Sequence, residues 1–184
     1  MALFTGKGDD GTTYFFGSAR RYSKDSPLAW ALGTLDELNS FLGVCKVRAR
    51  NENFCISFEN HPVALLVERV QQALFIIQAE LAGAEKTIET EKVKEMEKII
   101  NSIESELPPI KTFLISGATE VSALFDYART LARCAERTVF ALPNELKPKE
   151  FSCAYMNRLS SLLYAFARLA AHRGGIAEDK PSYE

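Results

Sequence analysis

From Pro27 onward, apolar residues return at intervals of three and four. Leu28, Leu32, Leu35, Leu38, Leu42 and Cys45 lie on one face of a helical projection, and Pro27 suits its first turn, where a missing N–H costs nothing. The spacing predicts a first helix from Pro27 to near Arg50. The stretch "NENFCISFENHP" has no period and reads as a loop. Val63, Leu66, Val67, Val70, Leu74, Ile77 and Leu81 then give a second helix, from Pro62 to about Gly83. Val93, Met96, Ile99, Ile100, Ile103 and Leu107 mark a third, on a charged background that suits an outer face, and Pro108 and Pro109 end it. Val121, Leu124, Phe125, Ala128, Ala132, Ala135, Val139 and Leu142 carry a fourth, stopped by Pro143. Leu159, Leu162, Leu163, Phe166, Leu169 and Ala170 carry a fifth, after which Gly174 and Gly175 release the chain.

Helices of about 20 residues are about 30 Å long, and short breaks between them favour antiparallel neighbours. The expected fold is all-α, an up-and-down five-helix bundle with a four-helix-bundle (ferritin-like) core. One domain is expected over 1–184: a loop segment 1–26, the bundle 27–173 and a tail 174–184. Only "TYFF", near the start, has the look of a strand.

With 184 residues, 47% of them hydrophobic and 25% charged, the chain can bury a proper core. Its formal net charge of -2 provides no chain-wide positive field for nucleic acid, so any bound anion must be held locally. No run of about 18 apolar residues is long enough to span a membrane. The four cysteines form no C-x-x-C pair, and no charged start precedes an apolar secretory stretch, which together point to the cytoplasm. Two histidines are too few for an ordinary zinc site, and the absence of an E-x-x-H pair argues against a di-iron bundle.

The stretch "TGKGDDGTT", Thr5 to Thr13, spells G-x-G-x-x-G through Gly6, Gly8 and Gly11. A dinucleotide fingerprint needs a strand before the glycines and a helix after them. Only Met1 to Phe4 precede them, and no helical period follows. A P-loop reading fails as well, because threonine stands where the lysine belongs. Two readings stay open. Three glycines, Lys7 and the hydroxyls of Thr12 and Thr13 can surround an anion with N–H groups and donors, or the stretch is a plain N-terminal turn.

On the fourth helix, at about 100° per residue, Arg129, Arg133 and Glu136 fall within about 60° of one another and beside the apolar stripe. That position suits a seam or cleft; the alternative is a surface helix with a routine i,i+3 ion pair. The first helix offers Asp36 and Asn39, the fifth Asn157 and Arg158. Lys24, Arg20 and Arg21 lie between the loop and the first helix. ATP carries about four negative charges, and Lys7, Lys24, Arg129, Arg133 and Arg137 are enough cations to hold it, usually with Mg2+.

In this order and at these distances, "TGKGDDGTT", "ALGTLDELNSFLG", "ARTLARCAER" and "YMNRLSSLLYAFAR" resemble the PduO-type ATP:cob(I)alamin adenosyltransferases over nearly the whole chain. The resemblance implies a homotrimer with ATP and corrinoid held between neighbouring subunits. By position, Thr5, Gly6, Lys7, Gly8, Thr12, Thr13 and Lys24 would hold the triphosphate. Arg133, Glu136, Arg137 and Asn157 would bind ATP with Mg2+, and Arg133 would serve the reaction directly. Asp36 and Arg129 would pair across the interface. Phe113 would lie beneath the corrin ring and displace the lower ligand of cobalt. The implied partners are a reductase and a mutase that uses adenosylcobalamin.

The implied reaction moves the 5'-deoxyadenosyl group of ATP to the cobalt of cob(I)alamin and releases triphosphate. Three positions depart from the family pattern: Cys134 replaces an arginine, Ser116-Gly117-Ala118 replaces Pro-Gly-Gly, and Asp126 replaces a common histidine. They favour, as the rival, a non-catalytic ATP- or corrinoid-binding bundle; a bundle without a ligand is the third reading.

Overall fold

The structure is a computed structural model that describes residues 3–15, 18 and 20–183. Five α-helices run through the described residues: α1 (Pro27–Asn51), α2 (Val63–Leu81), α3 (Thr90–Glu106), α4 (Glu120–Phe140) and α5 (Glu150–Arg173). All five lie where the apolar spacing places them. Two short strands, β1 (Thr12–Tyr14) and β2 (Arg21–Ser23), pair antiparallel with Thr13 opposite Tyr22. The sequence reading anticipated strand character at "TYFF" alone, of which Phe16 lies outside the described residues. A partner three residues long is too short to show a period of two, so β2 was invisible.

Side-chain contacts fix the helix directions. Thr34 meets Thr138 at 2.8 Å and Arg48 meets Glu120 at 2.7 Å, so α1 and α4 are antiparallel. Lys46 pairs with Glu68, and Gln71 donates to the Asn39 carbonyl, which sets α2 antiparallel to α1. Asn157 bonds Glu136 while Tyr164 meets Arg129, so α5 opposes α4. Arg158–Glu97 and Arg173–Glu106 run α3 parallel to α5. Odd-numbered helices therefore point one way and even-numbered helices the other, the expected up-and-down bundle.

The apolar stripes meet in one core. Leu35, Leu38, Leu42, Leu74, Ile77, Ile103, Phe125, Leu159 and Phe166 are fully buried, and the Phe125 and Phe166 rings lie 5.2 Å apart.

Helix ends are closed in three ways. Ser26 caps α1 by accepting from the Ala29 N–H. Thr119 and Ser122 form a reciprocal capping box on α4. No side chain of its own segment caps α5; instead Glu80 of α2 accepts from the Lys149 N–H at 2.9 Å and from the Ser152 hydroxyl. At the other end of α5, a Cβ on Gly174 would lie 2.7 Å from the Thr119 side chain, so the missing carbon lets α5 touch the cap of α4. Gly175 then takes a positive φ of 67° and turns the chain back.

Candidate functional site

The glycine-rich stretch is folded around Arg21. Its guanidinium donates to the Thr12 hydroxyl, the Lys7 carbonyl and the Thr12 carbonyl, pairs with Asp10 at 3.4 Å, and lies over the Tyr14 ring. Asp10 accepts from the hydroxyl and the N–H of Thr12, and these bonds, followed by Arg21, hold its carboxyl below the usual range. Lys24 donates through Nζ to the Gly8 carbonyl at 2.8 Å. The Lys24 ammonium is also 3.2 Å from where a Gly8 Cβ would stand, so a side chain at position 8 would crowd that bond. Gly6 and Gly11 have φ of 66° and 78°, conformations that few other residues adopt. Turns and the cations of Arg21 and Lys24 thus lie together in an exposed loop, whose Lys7, Asp9, Gly11 and Thr12 N–H groups are bonded within the loop itself. Thr5 accepts from the Lys7 N–H, and Thr12 and Thr13 begin β1. Of these residues, Arg21 was not singled out as a ligand candidate, and its role as the hub of the loop has no signal in a single sequence.

Past this loop, the hairpin lies on the α1/α2 flank, where Tyr14 and Phe15 share a shallow cleft with Leu32, Asp36, Phe75 and Gln78. Arg129 faces a different cleft. There a cavity of about 570 Å3 lies between α4, α5 and the 107–119 linker, and Phe113, Asp126, Arg129, Arg133, Tyr164 and Glu178 line it. A second cavity of about 530 Å3 adjoins it and shares Ile110, Ser161 and Tyr164. Phe113 projects from the linker with 79% of its surface exposed, an unfavourable position for an aromatic ring unless something covers it.

Within the cavity, Arg129 is fixed from two sides. Its Nε donates to Asp126 at 3.0 Å, and its guanidinium is 5.7 Å from the Tyr164 ring centre. Asp126 is thus a buried carboxylate that neutralises and aims an arginine. Burial raises the Tyr164 pKa, with Arg168 acting in the opposite sense, so its hydroxyl remains a donor at neutral pH.

Below the cavity a polar chain joins three helices. Asn157 donates to Glu136 at 2.9 Å and accepts from Arg158 at 2.8 Å, while Arg158 pairs with Glu97 of α3 at 3.1 Å. The amide and carboxylate expected to act together are therefore in direct contact. Arg133 and Arg137 lie exposed on the same side of α4, with Cys134 half-buried between them. Sequence reasoning missed Tyr164, Ser161 and Arg168, although with Asn157 they recur at 157, 161, 164 and 168 along one helical stripe; Ser161 and Tyr164 line both cavities and Arg168 the second.

Residues 3–170 match the family model for cobalamin adenosyltransferase. The chain belongs to the cobalamin adenosyltransferase family. Among adenosyltransferases it is 36% identical to the corrinoid adenosyltransferase PduO of Citrobacter freundii over 94% of this chain and 50% of that protein, so it spans about half the length of that relative. It is 34% identical to the corrinoid adenosyltransferase of Bacillus subtilis strain 168, covering 97% of this chain and 91% of that one. Among solved adenosyltransferase structures, a variant PduO-type ATP:corrinoid adenosyltransferase from Lactobacillus reuteri, complexed with cobalamin and ATP, superposes with a TM-score of 0.86 at 26% identity, covering 99% and 97% of the two chains.

Proposed function

We propose that this chain transfers the 5'-deoxyadenosyl group of ATP to the cobalt of cob(I)alamin and releases triphosphate. The observation that carries the reading is the cavity that brings Phe113, Arg129 and Arg133 together beside the Glu136–Asn157 contact. Cobalt(I) is itself a strong nucleophile: its electron pair forms the bond to C5', and the C5'–O bond breaks with its electrons on the leaving triphosphate. The protein therefore needs no nucleophile of its own. Its work is alignment and stabilisation of the leaving group.

Each part of the chain has a task in this scheme. Thr5, Gly6, Lys7, Gly8, Thr12, Thr13 and Lys24 surround the triphosphate with N–H groups, hydroxyls and cations. Arg133 and Arg137 add charge from α4, and Glu136 with Asn157 orients the ribose. Phe113 covers the lower face of the corrin and keeps a lower ligand off cobalt.

Among the described residues no group of three or more His, Cys, Asp or Glu could hold a metal ion alone. The donor set fits Mg2+ that arrives on the triphosphate, since this ion keeps most of its water and takes one or two carboxylates, here Glu136. Bound there, it would neutralise charge on the phosphate oxygens.

A homotrimer with sites between subunits is part of the proposal. In its favour, Trp30, Val44 and Val47 of α1 and Tyr127 and Phe140 of α4 expose apolar surface. Asp36 and Arg129 lie in separate clefts of one chain, so their pairing would take two copies. A cytoplasmic location agrees with the four free cysteines, and no helix among the described residues is long and apolar enough to cross a membrane. A reductase that supplies electrons to cobalt and a mutase that consumes the product complete the proposed set of partners.

The test mixes the protein with Mg-ATP and chemically reduced cobalamin. Absorbance should report adenosylcobalamin, and triphosphate should appear in equal amount. ATP bound without either product would select a non-catalytic carrier, and sedimentation decides the trimer.

A further inference from the structure

The 107–119 linker that carries Phe113 is tied down by the C-terminal tail. Arg168, 7% exposed on α5, donates to the Pro108 carbonyl at 3.1 Å and pairs with Glu178 of the tail at 3.4 Å. One residue further, the Asp179 carbonyl accepts from the Ile115 N–H at 2.8 Å. The same Glu178 lines the cavity with Phe113 and Arg129. Little else restrains the linker, where Ile110, Phe113 and Ile115 are each more than half exposed.

We propose that residues 176–183 are a latch that sets the height of Phe113 over the cavity, with Glu178 as a positioning residue acting through Arg168. A guanidinium this deeply buried needs a partner for its charge, and Glu178 supplies it. With Glu178 in place, the fork of Arg168 is aimed so that its other nitrogen reaches Pro108. The Ile115–Asp179 bond fixes the far side of the same segment, so both hinges of the Phe113 segment depend on the tail. Gly175, with its positive φ, reverses the chain towards the linker. Two things follow: the latch tunes how the corrin is received, and it leaves the triphosphate loop untouched. Both consequences rest on the proposed function; the latch itself does not.

Hydrogen exchange on the full chain without substrates reads the latch directly. In Glu178→Ala, the Ile115 amide, which donates to the Asp179 carbonyl, should exchange about tenfold faster, as expected when a local closing interaction is lost, while α1 to α5 stay as in wild type. A chain ending at Gly175 should show the same gain, and Glu178→Gln, which keeps an acceptor but no charge, a smaller one. In the adenosylation assay the KM for corrinoid should rise about fivefold with the KM for ATP unchanged, the split expected of one lost contact on one substrate. Wild-type exchange at the Ile115 amide in Glu178→Ala would overturn the proposal. If the alanine change loosens the helices too, Glu178→Gln decides. A wild-type protein that makes no adenosylcobalamin would instead refute the proposed function, and the exchange result would still stand or fall by itself.

Discussion

Glu80 is expected to control the stability of α5 from a different helix. The cap position of α5 is Lys149, whose side chain makes no capping bond, so the N–H groups at the start of the helix receive no acceptor from their own cap. Glu80 supplies the missing acceptor, taking the Lys149 N–H and the hydroxyl of fully buried Ser152. Ser152 in turn lies 3.3 Å from the Ile88 N–H, so one carboxylate orders the end of α2, the start of α5 and the approach to α3. A lost cap costs about 1 kcal/mol, and a hydroxyl left without its charged partner about as much again, so Glu80→Ala should lose about 2 kcal/mol. At about 2–4 °C per kcal/mol for a chain of this size, the melting temperature should fall by about 4–8 °C. Glu80→Gln retains one acceptor and should lose about half as much. Calorimetry or circular dichroism at one fixed protein concentration measures this, the concentration being fixed because assembly would add its own contribution. A Glu80→Ala melt indistinguishable from wild type would refute the reasoning, since it would mean that α5 needs no acceptor there.

Arg133→Ala should weaken ATP binding and slow adenosyl transfer together, each by about tenfold or more, because a cation is lost from the leaving group's site; titration calorimetry showing full ATP affinity removes Arg133 from it. Phe113→Ala should bind ATP as before yet lose most turnover, and undiminished turnover counts against its place under the corrin. Burial alone would raise the Glu106 carboxyl, but the Ser57 hydrogen bond and the Arg173 partner outweigh it and hold the group below its usual value. A depressed folded value means that its contribution is present above about pH 4.3, the unfolded value, and is lost as pH falls through the lower folded one. The 52–62 loop, which Arg173 holds through Ser57 and the Cys55 carbonyl, should loosen in acid, and Glu106→Gln should abolish that part of the pH dependence in exchange measurements.

The helices were legible because each carries its own period. Val63 to Leu81 repeats at three and four residues, and a stripe that long has one way to bury itself. The Arg129, Arg133 and Glu136 stripe was legible for the same reason, and Arg129 and Arg133 line a cleft. What faces it from elsewhere was not. Glu178 lies in a tail with no period, and its partner Arg168 reads as one more charged residue on a helix. Asn157 on its own carries no sign that Glu136 is 2.9 Å away. Such pairs depend on the packing of one helix against another, which a single chain's spacing does not encode. The β2 strand is missing for a related reason, since hairpin pairing over three residues is decided by Arg21 reaching back to Thr12.

The glycine-rich loop and the arginines of α4 belong to opposite flanks of one bundle, with α1 between them. On the proposed reading each subunit is then a donor to one site and an acceptor in another, and a lone subunit completes none. Two impaired chains should consequently complement one another. When Lys7→Ala and Arg133→Ala subunits are mixed at random in a closed ring, about one junction in four pairs an intact loop with an intact helix. Activity would rise above that of either impaired protein alone, with no residue restored in either.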